Sequence, residues 1–441
     1  MRPGLKRLNI DIAYPLQRDA KLDGWLACGP LYSSLPTVYA QDAGPIQLFM
    51  SEVMMPRNAI VLGALLFTSA TAAGAWLVQA RTGTAPMTRV YYVAADELEW
   101  DYAPSGMNQM TGKPFDEFEQ PWMEPGPHHT GRKALKALYR EYTDSTFTTL
   151  EPRPPEWEHL GFLGPVIRGV VGDTIKVVFR NNARFPASVH PHGVFYNKDS
   201  EGALYEDGTA DGDKADDAVP QGGTHTYVWP VPERAGPTHH ETSTAFWMYH
   251  SHTDELRDIA AGLFGPMIIT RRSDARPDGT PRDVDRELVA GFIEVDENHS
   301  WYLQDNIDKY ATKPEEVTIG RSPFGDIIAL PAFGTYFKET INGFSYGHTP
   351  GMTVKMGERV RWYLMASTNF EMHSPHWHGN VVVADGMRLD VAGLLPMGMM
   401  VADMVPDNPG RWFFHCHLAG HMRIGMQAYY TVEPAAQVAA R

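Results

Sequence analysis

Cysteine is almost missing from these 441 residues, with only Cys28 and Cys416 present. A disulfide framework is therefore excluded as the basis of the fold. Sustained helical periodicity is also scarce. After about residue 88 the chain is dominated by short β-branched and aromatic runs broken by Pro and Gly clusters, the pattern of β-sandwiches. Positive charge is in deficit: 38 Lys and Arg stand against 53 Asp and Glu, a formal net charge of −15. That balance argues against nucleic acid as a partner and is compatible with attracting cations. One long apolar run occurs, from Ala59 to Val78, preceded by Met54-Met55-Pro56-Arg57. It has the n-region and h-region of an export signal, with small-residue cleavage sites at Ala70-Thr71-Ala72 or Val78-Gln79-Ala80. It is also long enough to stay as a single membrane anchor. Residues 1–53 show no periodicity, and translation starting at Met54 or Met55 would explain them. The expectation is a signal or anchor at 54–80 and a chain exported to the periplasm or the cell exterior.

What the chain does contain is concentrated near its C-terminus, in Trp412-Phe413-Phe414-His415-Cys416-His417-Leu418-Ala419-Gly420-His421-Met422-Arg423-Ile424-Gly425-Met426. A thiolate, imidazoles and a thioether at this density suit a soft, redox-active metal. Blue-copper sites use two His and one Cys with a weak axial Met. Cys416, His421 and Met426 supply three of those four. Side chains on a strand alternate faces. An extended 413–417 therefore turns Cys416 one way and His415 and His417 the other, so that one strand serves two metal sites.

The length suggests two or three domains, and from Thr88 the chain reads as two similar halves. Gly172-Asp173-Thr174-Ile175-Lys176-Val177-Val178-Phe179 is followed by His190-Pro191-His192-Gly193. Gly357-Glu358-Arg359-Val360-Arg361-Trp362-Tyr363-Leu364 is followed by His376-Trp377-His378-Gly379. Each half ends on a second pair, His250-Ser251-His252 and His415-Cys416-His417. Arg271–Arg286 reads as the linker, and the acid-rich 199–217 as a solvated loop. Each pair occupies alternate positions, so eight imidazoles from four strands can surround a small metal cluster. With His373 and His421, the four pairs and the residues beside them account for ten of the eighteen histidines. His373, of opposite parity to His376 and His378, faces the side of Cys416 and completes the blue site. At the positions matching His373, Cys416 and His421 the first half carries Ala187, Ser251 and Leu256. The expectation is one mononuclear copper in the second half, and half of a cluster from each half.

The motifs HPHG, HSH, HSPHWHG and HCHLAGHMRIGM resemble, in order, the four copper signatures of multicopper oxidases. Tyr91-Tyr92, Trp100-Asp101-Tyr102-Ala103, Lys136-Ala137-Leu138-Tyr139, Tyr142-Thr143-Asp144, Leu160–Pro165 and Asp258–Gly262 resemble a ceruloplasmin or hephaestin repeat over most of 88–434. The two-part architecture, with its blue site only in the second part, is similar to the small laccases. The resemblance implies an all-β fold of two cupredoxin-like Greek-key β-sandwiches, 88–272 and 286–434. It implies four coppers per chain. Type 1 copper would lie on His373, Cys416, His421 and Met426, and type 2 on His190 and His376. A type 3 pair would lie on His192, His250, His252, His378, His415 and His417. Its chemistry is one-electron oxidation of a reductant and four-electron reduction of dioxygen to water. Asp207 sits where such oxidases carry an acid near type 2 copper, and Asp254 is a second candidate.

The reductant is read less directly. A phenol is the default, with Fe(II) or Cu(I) as alternatives. Where ferroxidases carry an aspartate and a histidine, this chain has Gly420 and Glu339, while Glu371 shares the parity of His373. Met397, Met399, Met400, Met404 and Met422 read as adaptable core filler or as a Cu(I)-binding lip. Because the larger relatives have six such domains in three pairs, three chains in a ring would rebuild them, a homotrimer with head-to-tail contacts. A nitrite reductase-like protein, a non-catalytic scaffold and a copper-buffering protein are the competing classes. No cluster ligand is missing, which disfavours the scaffold.

Overall fold

The computed structural model describes residues 85–239, 242–323, 325–366 and 371–435. The expected signal or anchor at 54–80, residues 1–53 and Cys28 lie outside these. No helix among the described residues is long and apolar enough to cross a membrane.

Eight strands come from the first half: β1 (Thr88–Asp101), β2 (Lys133–Tyr142), β3 (Ile167–Val170), β4 (Thr174–Asn181), β5 (His190–Pro191), β6 (Thr224–Pro230), β7 (Thr244–His250) and β8 (Phe264–Thr270). They form two sheets, β2-β1-β4-β6 and β3-β8-β7-β5. Twelve come from the second: β9 (Arg286–Asp296), β10 (Thr318–Arg321), β11 (Ile327–Leu330), β12 (Phe337–Ile341), β13 (Thr353–Lys355), β14 (Val360–Ala366), β15 (Pro375–Trp377), β16 (Val382–Ala384), β17 (Met387–Leu389), β18 (Met399–Met404), β19 (Gly410–Cys416) and β20 (Gln427–Glu433). Their main sheets are β12-β9-β14-β18-β16-β17 and β13-β20-β19-β15, with β10 and β11 a separate pair.

The duplication read from the motifs extends to topology. β2-β1-β4-β6 corresponds to β12-β9-β14-β18, and β3-β8-β7-β5 to β13-β20-β19-β15. Pairing sense matches as well: β1 with β4 and β9 with β14 are parallel, as are β3 with β8 and β13 with β20. The fold is all-β and cupredoxin-like, and the helices among the described residues are short: α1 (Gln120–Met123), α2 (Glu255–Ala261), α3 (Leu303–Tyr310) and α4 (Ala419–Ile424).

Burial patterns explain the layers. β4 alternates half-buried and buried side chains throughout, the period of a strand with one face on a core. β14 is buried at every position, the pattern of a strand covered on both faces. Its second cover is the first half. Tyr363 packs on Phe246 with ring centroids 5.2 Å apart, and the Arg361 guanidinium donates to Ser243 Oγ at 2.6 Å. An apolar core containing Phe162, Phe246, Ile268, Val289, Ile293 and Met365 joins the halves.

Candidate metal centres

Strand register builds both centres. β15 and β19 are antiparallel, with Pro375 opposite Cys416 and His376 opposite His415. β5 and β7 likewise place His190 opposite His250. Both HxHG motifs end on a glycine at positive φ, +78° at Gly193 and +76° at Gly379. A Cβ there would meet the indole of Trp247 at 2.3 Å or of Trp412 at 2.4 Å. Only glycine allows that turn and that close indole, and each Trp sits three residues before the first His of the following pair.

The first centre is buried beside β19. The Cys416 sulfur lies 3.7 Å from His421 Nδ1, and His421 Nδ1 lies 3.2 Å from His373 Nδ1. All three residues are buried. Met426 is fully buried, and its carbonyl accepts from the Cys416 N–H at 3.2 Å. The Ser374 N–H points at the sulfur from 3.3 Å. Burial, then the neighbouring His421, pushes His373 down to about 3. Burial also raises the Cys416 thiol. Neutral imidazoles and a sulfur closed off from water form a donor set that fits a soft metal and no ordinary solvated role.

The second centre comes as two half-sites. His192 and His250 approach Nε2 to Nε2 at 3.0 Å, and His378 and His415 at 3.1 Å. His250 Nδ1–H donates to the Ser251 carbonyl at 3.0 Å and His415 Nδ1–H to the Cys416 carbonyl at 2.7 Å. His190 Nδ1–H donates to the Glu201 carbonyl at 2.6 Å. These bonds fix the tautomers and leave each Nε2 as a lone-pair donor. His252 completes the first set, its ring centroid 5.2 Å from that of His190. His417 completes the second, 5.0 Å from His376. Burial, foremost, pushes His192 and His415 down to about 4, so the rings are neutral near neutrality. Among the described residues no hydrogen bond or ring contact links the first-half set to the second-half set.

The same frame recurs where the first half has no blue site. Ser188 N–H donates to Ser251 Oγ at 3.0 Å, as Ser374 N–H points at the Cys416 sulfur. Ala187 pairs with Val219 as His373 pairs with Leu394. Ser251 N–H donates to Leu263 O, and Leu263 N–H to Asp258 O; Cys416 does so to Met426, and Met426 to His421. These bonds correct one expectation. The counterpart of His421 is Asp258, not Leu256, because two more residues separate Ser251 from Leu263 than Cys416 from Met426. Leu256 is exposed.

Around the centres lie the acids. Asp207 accepts from the Thr209 N–H and Oγ at 2.9 and 2.7 Å and pairs with Lys198 at 2.9 Å. The Thr209 bond and Lys198 hold its carboxyl far below the usual range. The loop around it is less solvated than its composition suggests, since Asp216 and Asp217 are buried. Asp254 precedes α2, and its N–H donates to Asp258 Oδ2 at 3.0 Å. The sequence reading missed Glu294. It stands directly opposite Glu339 in the β9–β12 register, and with Glu339 and His421 it forms a third candidate group of metal-binding atoms. Glu339 lies 3.9 Å from His421 Nδ1 and Glu371 3.8 Å from His421 Nε2. Burial, then the opposing Glu294, raises Glu339 well above the usual carboxyl range. A lone acid in the apolar run of β9 was the available signal. Of the methionines, Met404 is buried in the second-half core, against which Met400 packs, and Met397 and Met399 pack against the core between the halves.

Two family models described as multicopper oxidase match residues 160–274 and 328–436, covering the HxH motifs of both halves. The chain belongs to the multicopper oxidases. The family's cofactor is copper, and both donor sets above fit it. Over 351 residues this multicopper oxidase is 42% identical to Ferroxidase HEPHL1 of Homo sapiens, covering 79% of this chain and 29% of that protein. It is 40% identical to Hephaestin of Homo sapiens over 78% of this chain and 29% of that protein. With Ceruloplasmin of Homo sapiens the identity is 36%, over 85% of this chain and 33% of that protein. The chain thus spans about a third or less of the relatives it matches. Blue Copper Oxidase from Nitrosomonas europaea aligns at 18% identity and a TM-score of 0.47, over 79% of this chain and 86% of that one, too weak a likeness to add to the assignment.

Proposed function

We propose that this chain takes single electrons from a metal-ion reductant beside His421 and passes them through Cys416 to a trinuclear copper site, where dioxygen is reduced to water. The ligands would be His373, Cys416, His421 and Met426 for type 1 copper, and His190 and His376 for type 2. His192, His250, His252, His378, His415 and His417 would hold the type 3 pair. The single observation behind this reading is Cys416: its sulfur lies with His421 and His373, while its neighbours His415 and His417 share a site with His376. Bound copper would supply the redox chemistry. The chain holds the imidazoles neutral, fixes their tautomers and closes the sulfur off from water.

Fe(II) is the reductant this reading favours, with Cu(I) or a phenol as alternatives. Glu294, Glu339 and Glu371 beside His421 offer hard oxygen donors, and a cation between the facing Glu294 and Glu339 would replace the proton that burial and Glu294 hold on Glu339. Asp207, held ionised, would act through its charge, and Asp254 remains the candidate proton carrier.

Among the described residues no hydrogen bond or ring contact joins the two histidine sets of one chain, which supports completion of the cluster between copies in a closed homotrimer. In this reading 88–272 and 286–434 are the two cupredoxin units, and the protein works outside the cytoplasm after export through 54–80. Metal analysis with an absorption spectrum and oxygen uptake tests it. Four coppers per chain, a blue thiolate band and Fe(II)-dependent oxygen consumption are expected. A colourless protein with no oxygen uptake would overturn it.

A further inference from the structure

Asp258 is fully buried yet takes no part in either candidate centre, and its three bonds join Ser251, the Asp254 backbone and the second half. Ser251 Oγ donates to Oδ2 at 2.6 Å, Asp254 N–H to Oδ2 at 3.0 Å, and Trp301 Nε1–H to Oδ1 at 2.8 Å. Ser251 is the residue between His250 and His252. Its carbonyl takes the His250 Nδ1–H, and Ser188, whose N–H donates to Ser251 Oγ, accepts from the His252 N–H through its own hydroxyl at 3.0 Å. Trp301 belongs to the second half. Its ring stacks on Phe185 at 5.0 Å and 12°, with the Arg257 guanidinium 3.4 Å over it.

We propose that Asp258 is a positioning residue for the cluster: anchored to the second half by Trp301, it clamps Ser251 and thereby sets His250 and His252. The inference rests on the trinuclear reading above. The physical reason is that the place held by His421, Cys416 and Met426 in the second half holds Asp258, Ser251 and Leu263 in the first. The soft donors are gone, so this pocket takes no copper, and its hydrogen bonds are free to hold the strand that carries the ligands. A carboxylate suits the place because it accepts all three bonds and donates none. An asparagine amide would set a donor against either the Ser251 hydroxyl and the Asp254 N–H or the Trp301 N–H.

The test uses the full chain loaded with copper, comparing wild type, Asp258→Asn and Ser251→Ala. Copper per chain and the blue band are followed during titration with a copper chelator. Removing such outer partners weakens metal retention about 10–100-fold. Both variants should therefore release cluster copper at chelator concentrations lower by about that factor while the blue band stays intact. Wild-type retention in both variants overturns the proposal, and so does loss of blue and cluster copper together in both, which marks general unfolding. If Asp258→Asn alone fails to fold, Ser251→Ala decides. A wild-type chain that holds only blue copper instead sinks the trinuclear reading itself.

Discussion

Ser251 and Cys416 occupy the same place in two copies of one backbone frame. Each accepts an N–H from the serine that precedes its HxH partner strand, Ser188 at 3.0 Å and Ser374 at 3.3 Å. Each stands between two histidines of a candidate cluster site. Only Cys416 has soft donors around it, so the proposed function confines electron entry to the second half while drawing candidate ligands from both.

Cys416→Ser isolates that entry point. The blue band should vanish and oxygen uptake with any reductant should fall to background, while histidine-bound copper is retained. Copper analysis and visible absorption are the measurement. A coloured, active variant would refute the role of the sulfur.

Completion of the cluster between copies, as proposed, predicts complementation. A chain with His190 and His192 changed to alanine and a chain with His376 and His378 changed to alanine should each be inactive. Co-assembled in equal amounts they should recover about a quarter of the wild-type sites, because random head-to-tail pairing brings the intact halves together that often. No recovery would place the cluster within one chain.

Glu339→Gln separates metal-ion from organic reductants. KM for Fe(II) should rise about tenfold or more through loss of one carboxylate that ionises when the cation binds, and oxidation of an uncharged phenol should not change. Equal effects on both would mean that Glu339 only supports His421.

Glu141, on β2, gives a pH prediction away from the centres. Burial, then the neighbouring Glu151, pushes its carboxyl from 4.5 up to about 7. The folded chain therefore binds this proton more tightly than the unfolded chain. Stability from this group is complete at low pH and is lost as pH rises from about 4.5 through about 7. Glu141→Gln should gain about 2 kcal/mol relative to wild type at pH 8 and little at pH 4, read from denaturant midpoints at the two pH values.

Gly379→Ala tests the turn that aims His378. The positive φ and the indole of Trp412 at 2.4 Å leave no room for a methyl group. The variant should lose about 1–3 kcal/mol and cluster copper along with it, checked by thermal unfolding and metal content.

The sequence alone carried the duplication, the strand class and the parity of the ligands, because a period of two is local: Cys416 and its flanking histidines must face opposite ways wherever the strand goes. The candidate cluster histidines could be named for the same reason. Glu294 stayed hidden because its partner Glu339 is 45 residues away and only the β9–β12 register sets the two side by side. Leu256 takes the place of Asp258 as the counterpart of His421 when one counts along the chain, because counting ignores the longer turn around α2, which only the hydrogen bonds at Leu263 reveal. What tertiary structure decided, therefore, is which distant acids share low-dielectric space with His421 and Ser251, and that among the described residues no hydrogen bond or ring contact joins the two histidine sets of one chain. Both depend on packing across the sheets, where burial and opposing charge set chemistry that no stretch of residues contains by itself.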